Sequence, residues 1–410
     1  MYSDIIRKTL ASFILVFVSM AANCSDNGTG PEPDPCVATI DLNDTQQIIR
    51  GFGGVNMPGW IDDMTDDQVN KAFGADSGQI GMTILRIRVP FDSTKFNLEV
   101  PTAQLAKSLG AIIIASPWTP PAWMKSNNNI VGGRLNDSAY PAYAAHLKSF
   151  ADYMSSNGVP LYAISIQNEP DVSVTYESCD WNASEMVKFV KENAPSIGIK
   201  IIAPESYNFN HTIFDAILND PVAAANVSII GGHIYGGGLE SYPLAVSKGK
   251  EIWMTEHLVV NTDWRGALET ALEINDCMNA GMNAYLWWYI RRFYGPIDDN
   301  SNVTKRGYVI SQYARFVRPG FTRVSATDNP QTDVYMSAYK NGTNVVIVAI
   351  NYGSPSIEQT FTIQNGTASA FSRYVTSSTK NCLQEGDITI SNGSFNATLD
   401  GESVTTFVSK

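Results

Sequence analysis

The chain has 410 residues, 44% of them hydrophobic and 17% charged, a balance that excludes an intrinsically disordered protein and allows one large core with a smaller second one. Its formal net charge of −12 and isoelectric point near 4.8 argue against a nucleic-acid partner, because polyanions are held by clustered Lys and Arg.

Residues 1–23 read as a signal peptide. Arg7 and Lys8 precede an apolar stretch at 10–22, shorter than the roughly 20 residues a bilayer core requires, so export is expected over a transmembrane anchor. Small residues before Cys24, and the polar Ser25-Asp26-Asn27-Gly28 after it, resemble a bacterial lipoprotein signal in which Cys24 is lipidated. Asn23 departs from the small residue usual there, so cleavage by ordinary signal peptidase stands as the alternative. The first reading places the protein at the bacterial cell surface or in the periplasm, the second outside the cell. Residues 24–36 form a Pro- and Gly-rich linker. Cys36, Cys179, Cys277 and Cys382 lack the C-x-x-C or His-paired spacing of a zinc site, and an exported chain could form up to two disulfides from them.

Residues 37–49 contain a strand, at 38–42, expected to complete a side domain before the chain enters its main unit. From 50 to 318, apolar β-rich runs alternate with stretches of helical period. Eight strand candidates stand at 48–53, 83–89, 111–116, 162–167, 200–203, 228–235, 251–256 and 283–288. Helices are expected at 142–157, where Ala144, Leu147, Ala151 and Met154 share one face, at 265–280 after Asp263 as N-cap, and around 308–316. The pattern predicts an α/β fold, a (β/α)8 TIM barrel. Residues 319–410 change to period-2 runs bounded by Asn-Gly turns at 341–342, 365–366 and 392–393, which predicts an associated C-terminal antiparallel β-sandwich.

Two glutamates end apolar strands where loops begin: Glu169 in Gln167-Asn168-Glu169-Pro170, after strand 4, and Glu256 in Trp253-Met254-Thr255-Glu256, after strand 7. The C-terminal mouth of such a barrel is where catalytic groups sit, and a carboxylate pair there points to glycoside hydrolysis. Asn168 can hydrogen-bond a sugar 2-hydroxyl, and Arg86, or its neighbour Arg88, can hold a carboxylate ionised. His233 is either a supporting group at the site or a packed barrel histidine. Trp118, Trp123, Trp264 and Trp288 follow strands 3, 3, 7 and 8 and could offer apolar platforms to sugar rings; Trp253 and Trp287 read as core. No zincin, P-loop or serine-triad signature is present, and no metal or organic cofactor is expected.

The blocks Arg50-Gly-Phe-Gly-Gly54, Ala115-Ser-Pro-Trp118, Tyr162-Ala-Ile-Ser-Ile-Gln-Asn-Glu-Pro-Asp171, Ile202-Ala-Pro-Glu-Ser206, Trp253-Met-Thr-Glu256, Trp287-Trp-Tyr-Ile-Arg-Arg292 and Ser403-Val-Thr-Thr-Phe-Val408 together resemble glycoside hydrolase family 30, close to its bacterial glucuronoxylan endo-1,4-β-xylanases. The resemblance spans residues 38–410. It implies a barrel with a β-sandwich at its side and a retaining mechanism, with Glu169 as acid/base and Glu256 as nucleophile. It favours Arg86 over Arg88, since the family pattern Leu-Arg-Ile matches Leu85-Arg86-Ile87, and it makes Tyr235 the tyrosine that hydrogen-bonds the nucleophile. It also implies that Arg292, in the matching run Trp288-Tyr289-Ile290-Arg291-Arg292, grips the (4-O-methyl)glucuronate branch of glucuronoxylan, with Tyr289 and Tyr294 placed to help. The loop His257-Leu-Val-Val-Asn-Thr-Asp-Trp264 is several residues shorter than in those enzymes, and Leu258 and Asn261 stand nearest the tyrosine and serine expected there. The sequence thus predicts a monomeric exported enzyme acting on glucuronoxylan. A xylanase on unbranched or arabinose-substituted xylan is the enzymatic alternative, and a non-catalytic glycan-binding surface lipoprotein the alternative of another class.

Overall fold

The structure is a computed structural model that describes residues 36–410; the signal peptide and Cys24 lie outside them. Strand β1 (Val37–Ile48) is followed by eight strands in chain order: β2 (Gly51–Val55), β3 (Ile84–Val89), β4 (Ile112–Pro117), β5 (Ala163–Ser165), β6 (Lys200–Ser206), β7 (Ile229–His233), β8 (Glu251–Glu256) and β9 (Ala284–Tyr289). All pair in parallel, β9 returns to β2, and the barrel closes.

The strands alternate inward and outward with period 2. Ile84, Ile114, Ala163, Ile202, Ile229, Trp253 and Leu286 meet as an apolar plug inside the barrel. Two residues further along their strands, Arg86, Ser116 and Ser165 are fully buried polar groups one layer nearer the C-terminal mouth. At that upper layer three pairings lose regular register. Glu205 is skipped between β6 and β7, Thr255 between β7 and β8, and Trp288 between β2 and β9. An extra residue of this kind re-aims the side chains around it.

Helices cover the barrel. Trp264–Asn279 starts where the Asp263 carboxylate accepts the Gly266 N–H at 2.8 Å, as its sequence predicts. Tyr140–Ser156 begins two residues before the expected start, because Pro141 suits the first helical turn rather than preceding it. It buries Ala144, Leu147, Ala151 and Met154.

Strands β10 (Thr322–Ala326), β11 (Val334–Asn341), β12 (Asn344–Asn351), β13 (Ile357–Gln364), β14 (Ala370–Thr376), β15 (Leu383–Thr389), β16 (Ser394–Leu399) and β17 (Ser403–Ser409) join β1 in one nine-stranded sheet, ordered 15-14-17-12-11-10-1-13-16. The sandwich is thus one continuous ladder bent over its own core. Its pairs are antiparallel except β1 with β13, because β1 arrives from the other end of the chain and slots between β10 and β13. Phe361, Phe371, Phe395 and Phe407 stack inside the bend, with Phe395 4.7 Å from Phe361 and 5.1 Å from Phe371, ring centre to ring centre. Phe395→Ala is expected to cost about 3–5 kcal/mol through lost burial and the cavity left behind, read as a lowered denaturation midpoint by calorimetry or urea titration.

The side sheet packs on the barrel through named contacts. Thr406 Oγ1 donates to the Gln312 carbonyl at 2.8 Å, and the Gln312 amide donates to Thr376 Oγ1 at 2.7 Å. The Arg265 guanidinium lies 3.4 Å from the centre of the Tyr352 ring. Cys179, Cys277 and Cys382 are free and buried in separate parts of the fold, so no disulfide links Cys36 with any of them. Among the described residues no helix is long and apolar enough to cross a membrane.

Candidate active site

The strand ends gather the predicted carboxylates at the barrel mouth. Glu169 leaves β5 with a left-handed backbone, φ 47°, its N–H donating to the Glu205 carbonyl at 3.0 Å. Glu256 ends β8, and the skipped Thr255 beside it brings Glu256 level with His233. One carboxylate oxygen of Glu169, one of Glu256 and one ring nitrogen of His233 all lie within 4.8 Å of one another.

Arg86 organises this group. It is fully buried, its Nη1 donates to Glu256 Oε2 at 2.7 Å, its Nη2 to Asn168 Oδ1 at 2.7 Å, and its Nε to Ser116 Oγ at 3.0 Å. The same Nη2 is 3.1 Å from Glu205 Oε1, a second fully buried carboxylate. Its guanidinium carbon sits 4.8 Å from the centre of the Trp118 ring. Arg88 points elsewhere and pairs with Glu177 at 3.1 Å.

His233 is both buried and placed at the site. Its Nδ1 shares a hydrogen bond with Glu169 Oε1 at 2.9 Å, and its Nε2 stands 3.8 Å from Glu256 Oε2. Burial pushes the imidazole pKa down, but Glu256 and Glu169 outweigh it and leave the value raised. For Glu256 burial also leads and raises the pKa, opposed by His233 and Arg86. Tyr235 Oη donates to Glu256 Oε1 at 3.0 Å and stacks against Tyr207 at 5.2 Å. Glu169, His233 and Glu256 are also the trio among the described residues that could hold a metal ion. Of their donor atoms, His233 Nδ1 and Glu169 Oε1 are spent on one another, Glu169 Oε2 on Tyr176, and the Glu256 oxygens on Arg86 and Tyr235, while His233 Nε2 has no hydrogen-bond partner among the described residues.

Trp118 and Trp288 lie 5.8 Å apart and are almost covered, so they form the floor of the mouth. Trp60 packs on Trp118 at 5.7 Å, and Tyr176, 38% exposed, reaches over with its hydroxyl 3.3 Å from Glu169 Oε2. Trp288 and Tyr289 are in contact at 4.4 Å, and Arg292 lies against the Tyr294 hydroxyl. Arg291 is occupied by Asp299 and the Asp62 carbonyl, whereas Arg292 forms no ion pair among the described residues.

One predicted position lands elsewhere. Trp264 is not at the mouth: its indole N–H donates to the Glu402 carbonyl at 3.0 Å and fastens the barrel to the side sheet, because it opens a helix that faces that sheet. Trp123 stands 65% exposed on the loop after β4, where the sequence places it, and no ring among the described residues packs on it. In the short loop after β8, Leu258 packs on the core and Asn261 is bound to the start of the next helix and to Arg306. Sequence reasoning missed Glu205, Tyr176 and Trp60. Only Glu205 had a usable signal, a carboxylate just past the fifth strand candidate, inside the block Ile202-Ala-Pro-Glu-Ser206.

A closed parallel barrel whose mouth holds two close carboxylates defines the class of protein, a glycoside hydrolase. Comparison with known proteins gives the particular family. The profile of the glycosyl hydrolase family 30 TIM-barrel domain matches residues 88–245. Glucuronoxylanase XynC of Bacillus subtilis is 42% identical over 99% of both chains. Among solved structures, the family 30 subfamily 8 xylanase Xyn30A of Clostridium acetobutylicum superposes with a TM-score of 0.88 at 43% identity, over 92% of this chain and 100% of that one. A family 30 endoxylanase of Clostridium papyrosolvens C71 gives 0.85 at 40% identity, over 91% and 99%. The chain belongs to glycoside hydrolase family 30.

Proposed function

We propose that this protein is a retaining endo-1,4-β-xylanase that cuts glucuronoxylan at positions set by the glucuronate branch. The separation of the two carboxylates carries the reading. With oxygens of Glu169 and Glu256 within 4.8 Å, there is room for direct attack on the sugar, as the roughly 5–5.5 Å of retaining enzymes allows, and none for the water that inverting enzymes hold across about 6.5–9.5 Å.

Glu256 attacks the anomeric carbon, and Glu169 gives its proton to the departing glycosidic oxygen. The glycosyl–Glu256 ester is then broken by water, which Glu169 deprotonates. Arg86 and the Tyr235 hydroxyl, at 2.7 and 3.0 Å, hold the two Glu256 oxygens in place and favour the ionised form. Asn168, aimed by Arg86, is the partner for the sugar 2-hydroxyl.

Arg292 supplies the branch specificity. It is a cation without an ion-pair partner among the described residues, set beside Tyr294, Tyr289 and Trp288, and its fork suits a carboxylate. The named specificity of the Bacillus relative supports this choice over the unbranched-xylan alternative. Nothing in the short loop after β8 replaces the tyrosine and serine absent from it, so uronate dependence rests on fewer contacts. The exported location, as a lipoprotein anchored through Cys24 or as a freely secreted enzyme, and a monomeric state belong to the same proposal.

Mass spectrometry of products from glucuronoxylan and from uronate-free xylan tests it. Fragments that each carry one uronate, with little cutting of the bare polymer, are expected. Equal cutting of both would transfer the enzyme to the general xylanase reading.

A further inference from the structure

We propose that Glu205 is a positioning residue for the hydrolysis: from an extra residue in β6 it shares the Arg86 guanidinium with Glu256 and thereby fixes the place and charge balance of the nucleophile. The inference rests on the reading of Glu256 and Glu169 given above.

Four observations carry it. Glu205 is fully buried, and its Oε1 lies 3.1 Å from Arg86 Nη2, the terminal nitrogen next to the Nη1 that holds Glu256. It is the residue skipped in the β6–β7 pairing, and its backbone is left-handed at φ 56°, a conformation disfavoured for a non-glycine residue. The skip turns a side chain inward that plain alternation would place one step out of phase. The Glu205 carbonyl also accepts the Glu169 N–H at 3.0 Å, so the same bulge sets the backbone of the acid/base. Finally, the hydroxyls of Ser165 and Ser116 face the carboxylate from β5 and β4.

Without Glu205, the buried mouth would hold Arg86 with a single anionic partner at one end of its fork. With it, the guanidinium is pinned between two carboxylates and the Asn168 amide, and its charge is divided. Burial pushes the Glu205 carboxyl up, but Arg86 and His233 overcome burial and hold its pKa below the ordinary glutamate value. The other groups facing Glu256 are Arg86 from β3, Glu169 from the end of β5, His233 from β7 and Tyr235 just past it. The phenols of Tyr176, Tyr207, Tyr289 and Tyr294 are more distant neighbours.

The sign of the effect follows. The nucleophile must be ionised, so activity falls as pH drops through its pKa. In Glu205→Gln the undivided charge of Arg86 acts on Glu256, its pKa falls, and the acid limb of kcat/KM moves to lower pH by about half a unit or more. Loss of the pin lowers kcat about tenfold or more with KM within about twofold. Glu205→Asp keeps the charge but shortens the reach: kcat falls while the acid limb stays at its wild-type pH. A residue needed only for folding would lower the active fraction and leave the limb in place in both variants.

A folded Glu205→Gln enzyme with wild-type kcat or an unmoved limb overturns the inference. Should Glu205→Gln fail to fold, Glu205→Asp decides alone, with kcat counted per active site titrated by a mechanism-based glycosyl fluoride label: a lowered kcat per titrated site with the wild-type limb supports the role, and a displaced limb or an unchanged kcat per titrated site overturns it. A 2-deoxy-2-fluoro xylobioside with a good leaving group, applied to the wild-type enzyme, keeps the two readings apart. Failure to label Glu256 would remove the nucleophile assignment; labelling with an unmoved Glu205→Gln profile would remove only the role of Glu205.

Discussion

Azide sorts the two glutamates into opposite products. In Glu169→Ala, glucuronoxylan turnover falls about 10²–10⁴-fold, because no acid protonates a poor leaving group. A substrate with a dinitrophenolate leaving group still loads Glu256, since that group needs no proton. Azide then occupies the space left by the carboxylate, attacks the glycosyl–enzyme and gives the β-glycosyl azide. In Glu256→Ala no glycosyl–enzyme forms, and azide attacks from the vacated nucleophile side to give the α-glycosyl azide. The structure makes the two losses separable, because Glu256 is held by Arg86 and Tyr235 while Glu169 is held by His233 and Tyr176. Proton NMR of the azide products reads the outcome. Exchanged anomers would swap the roles, and near-normal hydrolysis by either variant would remove its residue from the chemistry.

Arg292→Met is expected to separate substrate choice from chemistry. Losing a charge-assisted contact to the uronate costs about 1.5–3 kcal/mol, which lowers kcat/KM on glucuronoxylan roughly ten- to hundredfold. Activity on uronate-free xylan stays within about twofold, since Arg292 touches none of the groups around Glu256 except through Tyr294 and Tyr289. The loss should lie near the upper figure, because the loop after β8 offers no substitute: Leu258 is committed to the core and Asn261 to Arg306. A parallel drop on both polymers would show that Arg292 acts on the site as a whole and not on the branch.

The barrel was legible because most of its strands are short, largely apolar and buried along their whole length, and buried parallel strands leave that trace. Glu251–Glu256 was read at its exact bounds. The first strand was displaced: its predicted start at 48 belongs to β1, and Ile49 and Arg50 spend their N–H groups on Phe321 and Asn283 before the barrel begins at Gly51. What stayed hidden is where local pattern fails. Period 2 cannot foresee the extra residues Glu205, Thr255 and Trp288, yet these re-aim the mouth. Tyr176 reaches Glu169 from an irregular loop with no period to read. Trp264 was misread because its partner, the Glu402 carbonyl, is 138 residues away and invisible to any local window.

The insertion of β1 between β10 and β13 has a kinetic consequence. Ile40 pairs with Ala326 and Val37 with Thr360, so the first described strand waits for partners about 300 residues downstream. During synthesis the barrel segment can be complete while Val37–Ile48 is still an unpaired strand, and ladders closed over such separations form slowly. The side sheet is therefore the last part of the molecule to assemble. Once formed, it ties the entrance and exit of the barrel together, so that unravelling from either end must first break the same clasp.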